Sequence, residues 1–482
     1  MTPDPARQPG PQPAAAPPPG PGRARPLYAE IADPGSLARF GEEIEAGDPS
    51  DWPGYPAQLR RARDAAGSAH AVTTAVAAVG GQPCVLVGFE FPFLGGSMGT
   101  AEGARICRAF AVSVAQRLPV VTVAASGGSR MQEGTSALLQ MQAVAAAIAE
   151  ARRAGIPHIA VAGDPTTGGV WSSLVAAADV LISVPGARVS FSGSRTRPPG
   201  ADPRSPEYLA DSKWARGFVD VLAPPPALRA EVAAAVRLLS PRSRGDSPRR
   251  APLPAWPSGD GGGPRGAGAW AHVGGARDPR RAGADRWLAG YFGQRFEIRG
   301  DRCGGVDTGL RCGFGGHRGT TIAYVAQTGE PTTPAGFRTA ARLLGLAERY
   351  RLAVLTLIDT PGAAASPADE AAGTGPAIAE LLVAMASSTV PITSVIIGEG
   401  VSGGALALAS PDDLWIARDG YLAVTAPELA ASILKRGARD IPQVAAWLRL
   451  TPADLLSRGI VRGIIGPSAV PADMAGQAAD PR

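Results

Sequence analysis

The chain has 482 residues and a formal net charge of +5 at neutral pH, so the position of that charge matters. Nine arginines and four aspartates lie between positions 240 and 286, and this tract alone accounts for the excess of +5. The rest of the chain is formally neutral, which argues against a basic surface for nucleic acid.

Targeting signals and metal sites are not expected either. Residues 1–26 are rich in Pro and Ala and contain no continuous apolar segment, so no secretory signal is predicted. No apolar run approaches the roughly 18 residues of a membrane span. The four cysteines are too few and too irregularly spaced for a disulfide framework or a zinc site. These features favour a cytoplasmic protein without a bound metal.

The first globular block is predicted over residues 55–239, after a largely disordered extension over 1–54. Short β-branched runs alternate with Ala-rich stretches, which is typical of α/β proteins with helical crossovers. Strands are predicted near Cys84–Phe89, Pro119–Ala124, Ile156–Ala162 and Asp179–Val184, and helices near Glu102–Arg117 and Thr135–Arg153.

The tract 240–286 is predicted to be a disordered linker, because its Pro, Gly and Arg content leaves little apolar surface to offset the entropy lost on ordering. A second globular block follows over 287–467, and a polar tail over 468–482.

The second block repeats the first. An offset of 235 takes Gly127 to Gly362 and Gly168 to Gly403, and the preceding strands, VVTVAA and VLTLID, coincide at nearly the same offset. The pattern predicts a tandem duplication of one α/β unit. Chance alignment of glycine-rich segments is the alternative.

Two glycine turns in each block are the strongest candidates for chemistry. A strand that ends in a glycine turn exposes backbone N–H groups, and two such turns side by side can hold the oxygen of an enolate. The candidate donors are Gly127, Gly128, Gly168 and Gly169 in the first block and Gly362, Ala363, Gly403 and Gly404 in the second. The alternative is that glycine only allows close strand–helix packing.

Side-chain catalysts are scarce by comparison. The four histidines, His70, His158, His272 and His317, stand beside no recognisable nucleophile, so each is predicted to be structural or solvated. No GxxxxGK[ST] sequence is present, which disfavours nucleotide hydrolysis.

Longer motifs carry a resemblance to a known family. Those of the first block resemble the β-subunit of the bacterial acetyl-CoA carboxylase carboxyltransferase: FEFPFLGGSMGTAEGARICRAF (89–110), ASGGSRMQEGTSALLQMQ (125–142) and GDPTTGGVWSS (163–173). Those of the second resemble the α-subunit: FEIRGDRCGG (296–305), GGHRGTTIAYVAQTGEPTTPAGFRTAARLLGLAER (315–349), IDTPGAAASPADEAAG (358–373), GEGVSGGALALA (398–409) and APELAASIL (426–434).

The resemblance implies a fused β/α chain with one crotonase-like ββα spiral in each half. It also implies that acyl-CoA binds to the β-like half, and that biotin, on a separate carrier protein charged by biotin carboxylase, enters the α-like half. The product from acetyl-CoA would be malonyl-CoA, used in fatty acid biosynthesis. A homodimer is implied, with the site formed between unlike halves of two protomers. Biotin would serve as the base, which explains the lack of a catalytic histidine.

The resemblance also assigns roles to individual residues. Gly127, Gly128, Gly168 and Gly169 would hold the thioester oxygen, and Gly362, Ala363, Gly403 and Gly404 the ureido oxygen of biotin. The remaining candidates would bind substrate or brace the first turn, namely Ser126, Arg130, Gln132 and Glu133.

The chain departs from the family pattern in three places. It has no four-cysteine zinc ribbon before Cys84, Leu429 replaces a small residue of the usual PEG turn, and residues 191–201 are unusually Pro-rich. Two alternatives therefore stay open: a malonyl-CoA or malonate decarboxylase subunit, and a catalytically weakened scaffold paralogue. The sequence leaves open the length of the acyl chain.

Overall fold

The computed structural model describes residues 25–193, 197, 199–202, 204–241, 248–257 and 268–467. The chain folds into two compact units. The first unit comprises residues up to 211 together with 222–240, and the second comprises 212–221 and everything from 241 onward. Residues 1–24 and the tail 468–482 lie outside the described residues.

The first unit is built on a mixed sheet in the order β1-β2-β3-β4-β5-β6-β8, with β7 paired to β5. Its strands are β1 (Ala38–Arg39), β2 (Val72–Val79), β3 (Gln82–Phe89), β4 (Val120–Ser126), β5 (His158–Thr167), β6 (Val180–Ser183), β7 (Val189–Ser190) and β8 (Val221–Leu222). Its helices are α1 (Leu27–Ile31), α2 (Tyr55–Ala66), α3 (Thr100–Gln116), α4 (Gly134–Arg153), α5 (Gly168–Val170) and α7 (Pro225–Leu239), while α6 (Ala210–Ala215) begins in this unit and continues into the segment 212–221 of the second.

The strands β3 to β6 run parallel, and β4 and β5 lie at the centre of the sheet. Central parallel strands are covered on both faces, which explains why their sequences are apolar almost throughout rather than alternating. The strands and helices predicted for this block are confirmed, although β5 begins at His158 and extends to Thr167, well beyond the predicted end.

The second unit has a sheet in the order β16-β14-β13-β12-β11-β10-β9, with β15 paired to β13. Its strands are β9 (Gln294–Ile298), β10 (Leu310–His317), β11 (Thr320–Gln327), β12 (Ala353–Thr360), β13 (Ile392–Val401), β14 (Leu414–Ala417), β15 (Tyr421–Ala423) and β16 (Ile464–Ile465). Its helices are α8 (Ala269–Ala276), α9 (Ala284–Tyr291), α10 (Pro334–Tyr350), α11 (Pro367–Ala371), α12 (Thr374–Ser387), α13 (Ser402–Leu406), α14 (Pro427–Ile433), α15 (Ile441–Trp447) and α16 (Pro452–Ser457).

The two sheets confirm the duplication and correct its offset. Val120 pairs with His158 in the first unit, and Val354 pairs with Ile392 in the second, so equivalent positions on these central strands are 234 residues apart. Both sheets also change register at the same point, after Ala124 and after Ile358. The predicted offset of 235 is therefore one too large, because the sequence match aligned glycine with glycine rather than strand with strand.

The tract 240–286 is not disordered throughout. It contains α8 and the start of α9, and Ala251 and Ala282 are buried in the second unit. The Tyr291 hydroxyl donates to the Pro252 carbonyl at 2.9 Å, and Trp256 packs edge-on against Trp287. The prediction of disorder is wrong for 248–257 and 268–286, because a few well-spaced apolar residues suffice to anchor them; 242–247 and 258–267 lie outside the described residues.

The N-terminal extension is folded from residue 25 onward. Tyr28 and Ile31 of α1 are buried, and the Tyr28 hydroxyl donates to the carboxylate of Glu90. The predicted disorder over 1–54 therefore does not hold for 25–54. Within the described residues, no helix is both long enough and apolar enough to cross a membrane.

Candidate active site

Two glycine turns of the first unit lie against each other where β4 and β5 end. Gly128 and Gly168 both have positive φ, +108° and +63°, a conformation that side chains with a Cβ rarely adopt. A Cβ built on Gly128 would lie 3.2 Å from the Gly168 Cα. Glycine is needed at these positions both for backbone conformation and for close approach.

Three of the predicted N–H donors in the first unit are already used. Gly127 N–H donates to the Gly95 carbonyl at 2.8 Å, Gly128 N–H to Ser126 Oγ at 3.0 Å, and Gly168 N–H to the Phe191 carbonyl at 3.0 Å. Their assignment as oxyanion donors is therefore wrong, because an N–H held by an internal acceptor is not available to a ligand.

The free N–H donors belong to the residues that follow Gly128 and Gly168 in the chain. Among the described residues, the N–H groups of Ser129 and Gly169 have no hydrogen-bond partner. Met98 pairs with the residues on either side of Ser129, accepting from Arg130 N–H at 2.9 Å and donating to the Gly128 carbonyl at 2.8 Å, which leaves the Ser129 N–H facing away. A Cβ on Gly128 would lie 3.4 Å from Gly169 N, so the two donor arms are adjacent.

The second unit repeats this arrangement. Gly362, with φ +132°, donates its N–H to Thr360 Oγ1 at 3.2 Å, just as Gly128 does to Ser126. Within the described part of the chain, the N–H groups of Ala363, Gly403 and Gly404 have no partner. Gly362 is therefore not a donor, whereas the prediction for the other three agrees with the geometry.

Gly404 also fixes how closely the two arms of the second unit approach. A Cβ built on Gly404 would lie 2.5 Å from Ala363 N and 2.6 Å from the Gly362 carbonyl carbon. Real Cβ atoms do not approach backbone this closely, so any side chain at 404 would force the arms apart.

A buried ion cluster braces the first turn. Arg130 Nη1 lies 2.8 Å from Glu102 Oε2 and 3.1 Å from Glu133 Oε1, and all three side chains are fully buried. Arg130 Nη2 donates to the Ser97 carbonyl at 2.5 Å. Burial alone would raise the pKa of Glu133, but hydrogen bonds from Thr100 and Tyr55 and the charge of Arg130 lower it. The bracing role predicted for Arg130 and Glu133 agrees with these contacts.

The side chains of Ser126 and Gln132 both form hydrogen bonds within the first unit. Ser126 is fully buried, and its Oγ donates to the Gly96 carbonyl at 2.7 Å while accepting from Gly128. Gln132 Nε2 donates to Gln58 Oε1 at 2.9 Å. The substrate-binding prediction for Ser126 is corrected to a bracing role, because its hydroxyl is fully engaged by backbone.

The second turn is braced by two arginines from the tract that was predicted to be a linker. Arg281 Nη2 lies 2.6 Å from Asp359 Oδ2, and Asp359 Oδ1 accepts the Glu399 N–H at 3.0 Å. Burial raises the pKa of Asp359 although Arg281 opposes this. Arg277 bridges Glu399 and Glu428, at 2.8 Å and 2.5 Å. No sequence signal distinguished these two arginines from their neighbours.

Two family models match the chain in succession. A carboxyl transferase domain matches residues 48–196, and an acetyl co-enzyme A carboxylase carboxyltransferase-like model matches 267–479. The acetyl-coenzyme A carboxylase carboxyl transferase subunits beta/alpha of Salinispora arenicola is 38% identical over 469 residues, covering 92% of this chain and 82% of that protein. This chain belongs to that carboxyl transferase family.

A second relative has a different name. The probable biotin-dependent acyl-coenzyme A carboxylase beta3 subunit of Mycobacterium tuberculosis is 33% identical over 446 residues, covering 91% of this chain and 88% of the relative. The family resemblance is thereby confirmed, and the chain is a biotin-dependent carboxyltransferase.

Solved structures agree on the fold. A transcarboxylase 12S structure matches with a TM-score of 0.75 at 20% identity, covering 92% of this chain and 86% of its own. A single-chain, multi-domain long-chain acyl-CoA carboxylase matches with a TM-score of 0.71 at 20% identity, and the match covers 45% of that longer chain. The predicted crotonase-like fold is confirmed.

Two of the departures from the family pattern fall wholly or partly within the described residues. Leu429 lies on α14 and is 60% exposed, so its bulk projects to the surface of the unit. In the run 191–201, residues 194–196 and 198 are outside the described residues. Phe191 contributes its carbonyl to the Gly168 N–H.

The histidines of this carboxyltransferase occupy structural positions, as predicted. His158 Nε2 lies 2.9 Å from Thr122 Oγ1 in the core, and burial lowers its pKa to about 4. His317 Nδ1 lies 2.7 Å from the Tyr291 carbonyl. His272 lies on α8, not in a disordered linker, and burial lowers its pKa and that of His70.

Proposed function

We propose that this carboxyltransferase moves a carboxyl group from carboxybiotin, attached to a separate carrier protein, to the α-carbon of acetyl-CoA or another short acyl-CoA. The observation that carries the proposal is the pair of equivalent backbone holes, one in each unit, each with unpartnered N–H donors among the described residues. The name of the Salinispora relative supports acetyl-CoA, and that of the mycobacterial relative supports a wider range of acyl-CoA substrates.

The first hole acts on the thioester. When the α-proton leaves an acyl-CoA, negative charge develops on the thioester oxygen. The N–H groups of Ser129 and Gly169 donate to that oxygen, and each such donor is worth roughly 3 kcal/mol in the transition state. The buried cluster around Arg130 holds the turn in place before substrate arrives, so little reorganisation is needed.

The second hole acts on biotin. The N–H groups of Ala363 and Gly403 fit a ureido oxygen, because both are donors and the close contact at Gly404 holds their arms together. When bound, carboxybiotin supplies the carboxyl group and a ureido ring that can accept a proton. The chain itself then needs to supply only N–H donors in a rigid site that excludes water. This agrees with the structural positions of its histidines.

Partners follow from the same chemistry. A biotinylated carrier and a biotin carboxylase must supply the carboxyl group. We propose a homodimer in which the first unit of one protomer faces the second unit of its partner, as the family resemblance implies. Exposed apolar side chains near the turns, including Met131 at 75% and Val424 at 73%, support a covering partner.

Reconstitution tests the proposal. The full chain is mixed with biotin carboxylase, biotinylated carrier, ATP and bicarbonate, and carboxylation of acetyl-, propionyl- and butyryl-CoA is measured. We expect transfer that depends on the carrier, from a protein that elutes as a dimer or a multiple of it. Carbon dioxide release from malonyl-CoA without any carrier would instead favour a decarboxylase. Absence of transfer to all three acyl-CoAs would favour a scaffold.

A further inference from the structure

One buried amide joins the two arms of the second hole. Gln327, the last residue of β11, is fully buried. Its Nε2 lies 3.0 Å from the Gly404 carbonyl and 2.9 Å from Thr332 Oγ1. Its Oε1 has no partner among the described residues. A buried amide that leaves one polar atom unsatisfied lowers stability, so a contribution to stability alone does not account for Gln327.

Both partners of the amide belong to the hole. Thr332 holds the first arm, since it donates its N–H to the Gly362 carbonyl at 3.1 Å and accepts from Ala364 N–H at 2.8 Å. Gly404 belongs to the second arm, α13. The amide of Gln327 thus links Thr332, which holds the first arm, to Gly404 of the second arm.

The first unit has no such amide. By strand register the equivalent position is Phe89, the last residue of β3, whose side chain is apolar and buried. The first hole is braced by the ion cluster around Arg130, and the second by a neutral hydrogen-bonded bridge. The two halves therefore achieve the same backbone shape by different side-chain chemistry.

We propose that Gln327 is a positioning residue that fixes the spacing between the Ala363 and Gly403 N–H donors. Oxyanion donors are effective only when they are held in place before charge develops, and the bridge prevents α13 from moving away from the first arm. This inference rests on the proposed function, which assigns the second hole to biotin.

The test uses the full chain with biotin carboxylase and biotinylated carrier. The biotin-side partial reaction, decarboxylation of carboxybiotin without acyl-CoA, is measured beside the dissociation constant for acetyl-CoA. For Gln327→Met we expect kcat of the partial reaction to fall at least about tenfold, with the dissociation constant unchanged within about twofold. Gln294→Met, at a partly exposed position of β9, is the matched control and should leave both values unchanged.

A second variant gives a signature that a purely structural role would not. The carboxylic acid of Gln327→Glu can still donate to the Gly404 carbonyl when protonated, but its carboxylate can only repel that oxygen. Partial-reaction activity should therefore rise relative to wild type as pH falls, and decline as pH rises through the carboxyl pKa. The control Gln294→Glu should follow the wild-type profile.

Three outcomes would overturn the inference. The first is a Gln327→Met enzyme with a wild-type partial reaction. The second is a variant that loses the partial reaction, acetyl-CoA affinity and thermal stability together, which would make Gln327 a general folding residue. The third is a Gln327→Glu profile that matches wild type at every pH. A wild-type enzyme without any transfer would instead overturn the proposed function as well.

Discussion

Arg281 and Asp359 form a largely buried ion pair, with 2.6 Å between Nη2 and Oδ2. Asp359 lies near the end of β12, one residue before the Thr360 hydroxyl that accepts the Gly362 N–H. Arg281 comes from a Pro-, Gly- and Arg-rich tract outside the repeated α/β unit. The second hole is thus held by residues that the duplication does not contain.

Replacing Arg281 should destabilise the second unit. In Arg281→Gln the Asp359 carboxylate would lose its partner while staying buried, which costs about 3–5 kcal/mol. Arg280→Gln is the adjacent control, because Arg280 is exposed and, among the described residues, forms its ion pair with Asp278, two residues away. Thermal unfolding should show a large fall for the first variant and almost none for the second. Equal falls in melting temperature would mean that the Arg281–Asp359 ion pair contributes no more to stability than an exposed pair does.

Arg130 should contribute as much to the stability of the first unit as Arg281 does to that of the second. Arg130→Met would leave Glu102 and Glu133 buried without their cation, again at about 3–5 kcal/mol. Arg108→Met removes an arginine of the same region whose pair with Glu43, at 2.6 Å, is exposed, and exposed pairs contribute about 0–1 kcal/mol. Urea unfolding compares the two. A loss for Arg130→Met no larger than for the control would contradict the bracing role.

His158 should make the fold sensitive to mild acid. Burial lowers its pKa from 6.5 to about 4, so between these pH values the imidazole is protonated in the unfolded chain but neutral in the folded protein. Its contribution is fully present above pH 6.5 and declines as pH falls toward 4, by roughly 3 kcal/mol in all. Burial also lowers the pKa values of His70 and His272, so their effects have the same sign.

Comparison with a variant isolates His158 from the other two histidines. The free energy of unfolding is measured from pH 7.5 to pH 5 for the parent and for His158→Gln. We expect the parent to lose more stability over this range than the variant does. Parallel curves would show that His158 does not titrate as its burial requires.

Much of this architecture could be predicted from the sequence. The buried parallel strands, the helices α3 and α4 and the duplication all follow from β-branched runs, Ala-rich periodicity and repeated glycine turns. These signals are local in the chain, so no tertiary contact is needed to recognise them. The offset was misjudged by one residue because Gly127 matches Gly362 in type, whereas the strand register equates Gly362 with Gly128.

The donors themselves could not be predicted. Whether an N–H is free depends on which carbonyl or hydroxyl approaches it. Gly95 and Phe191 lie far in sequence from the glycines whose N–H groups they accept, and nothing in the sequence marks the Ser126 hydroxyl as an acceptor. Ser129 was missed for this reason. The folded parts of the tract 240–286 were missed because composition averages over a segment, whereas Ala251 and Arg281 are fixed by specific contacts, including those with Thr393 and Asp359.

The most direct test of the division between the two holes is a pair of glycine variants. Gly128→Ala places a Cβ at positive φ, 3.2 Å from the Gly168 Cα, and Gly404→Ala places one 2.5 Å from Ala363 N. Each should lose overall transfer by about a hundredfold. Gly345→Ala, a helical glycine with open space around its Cβ, controls for the added methyl group.

The measurement is the partial reactions of these variants, after circular dichroism and gel filtration confirm that they are folded. Gly128→Ala should still decarboxylate carboxybiotin without acyl-CoA, because the second hole is intact. Gly404→Ala should lose that reaction but bind acetyl-CoA with nearly wild-type affinity. If both variants lost the same partial reaction, or if folded Gly128→Ala kept full transfer, the assignment of one hole to the thioester and the other to biotin would be wrong.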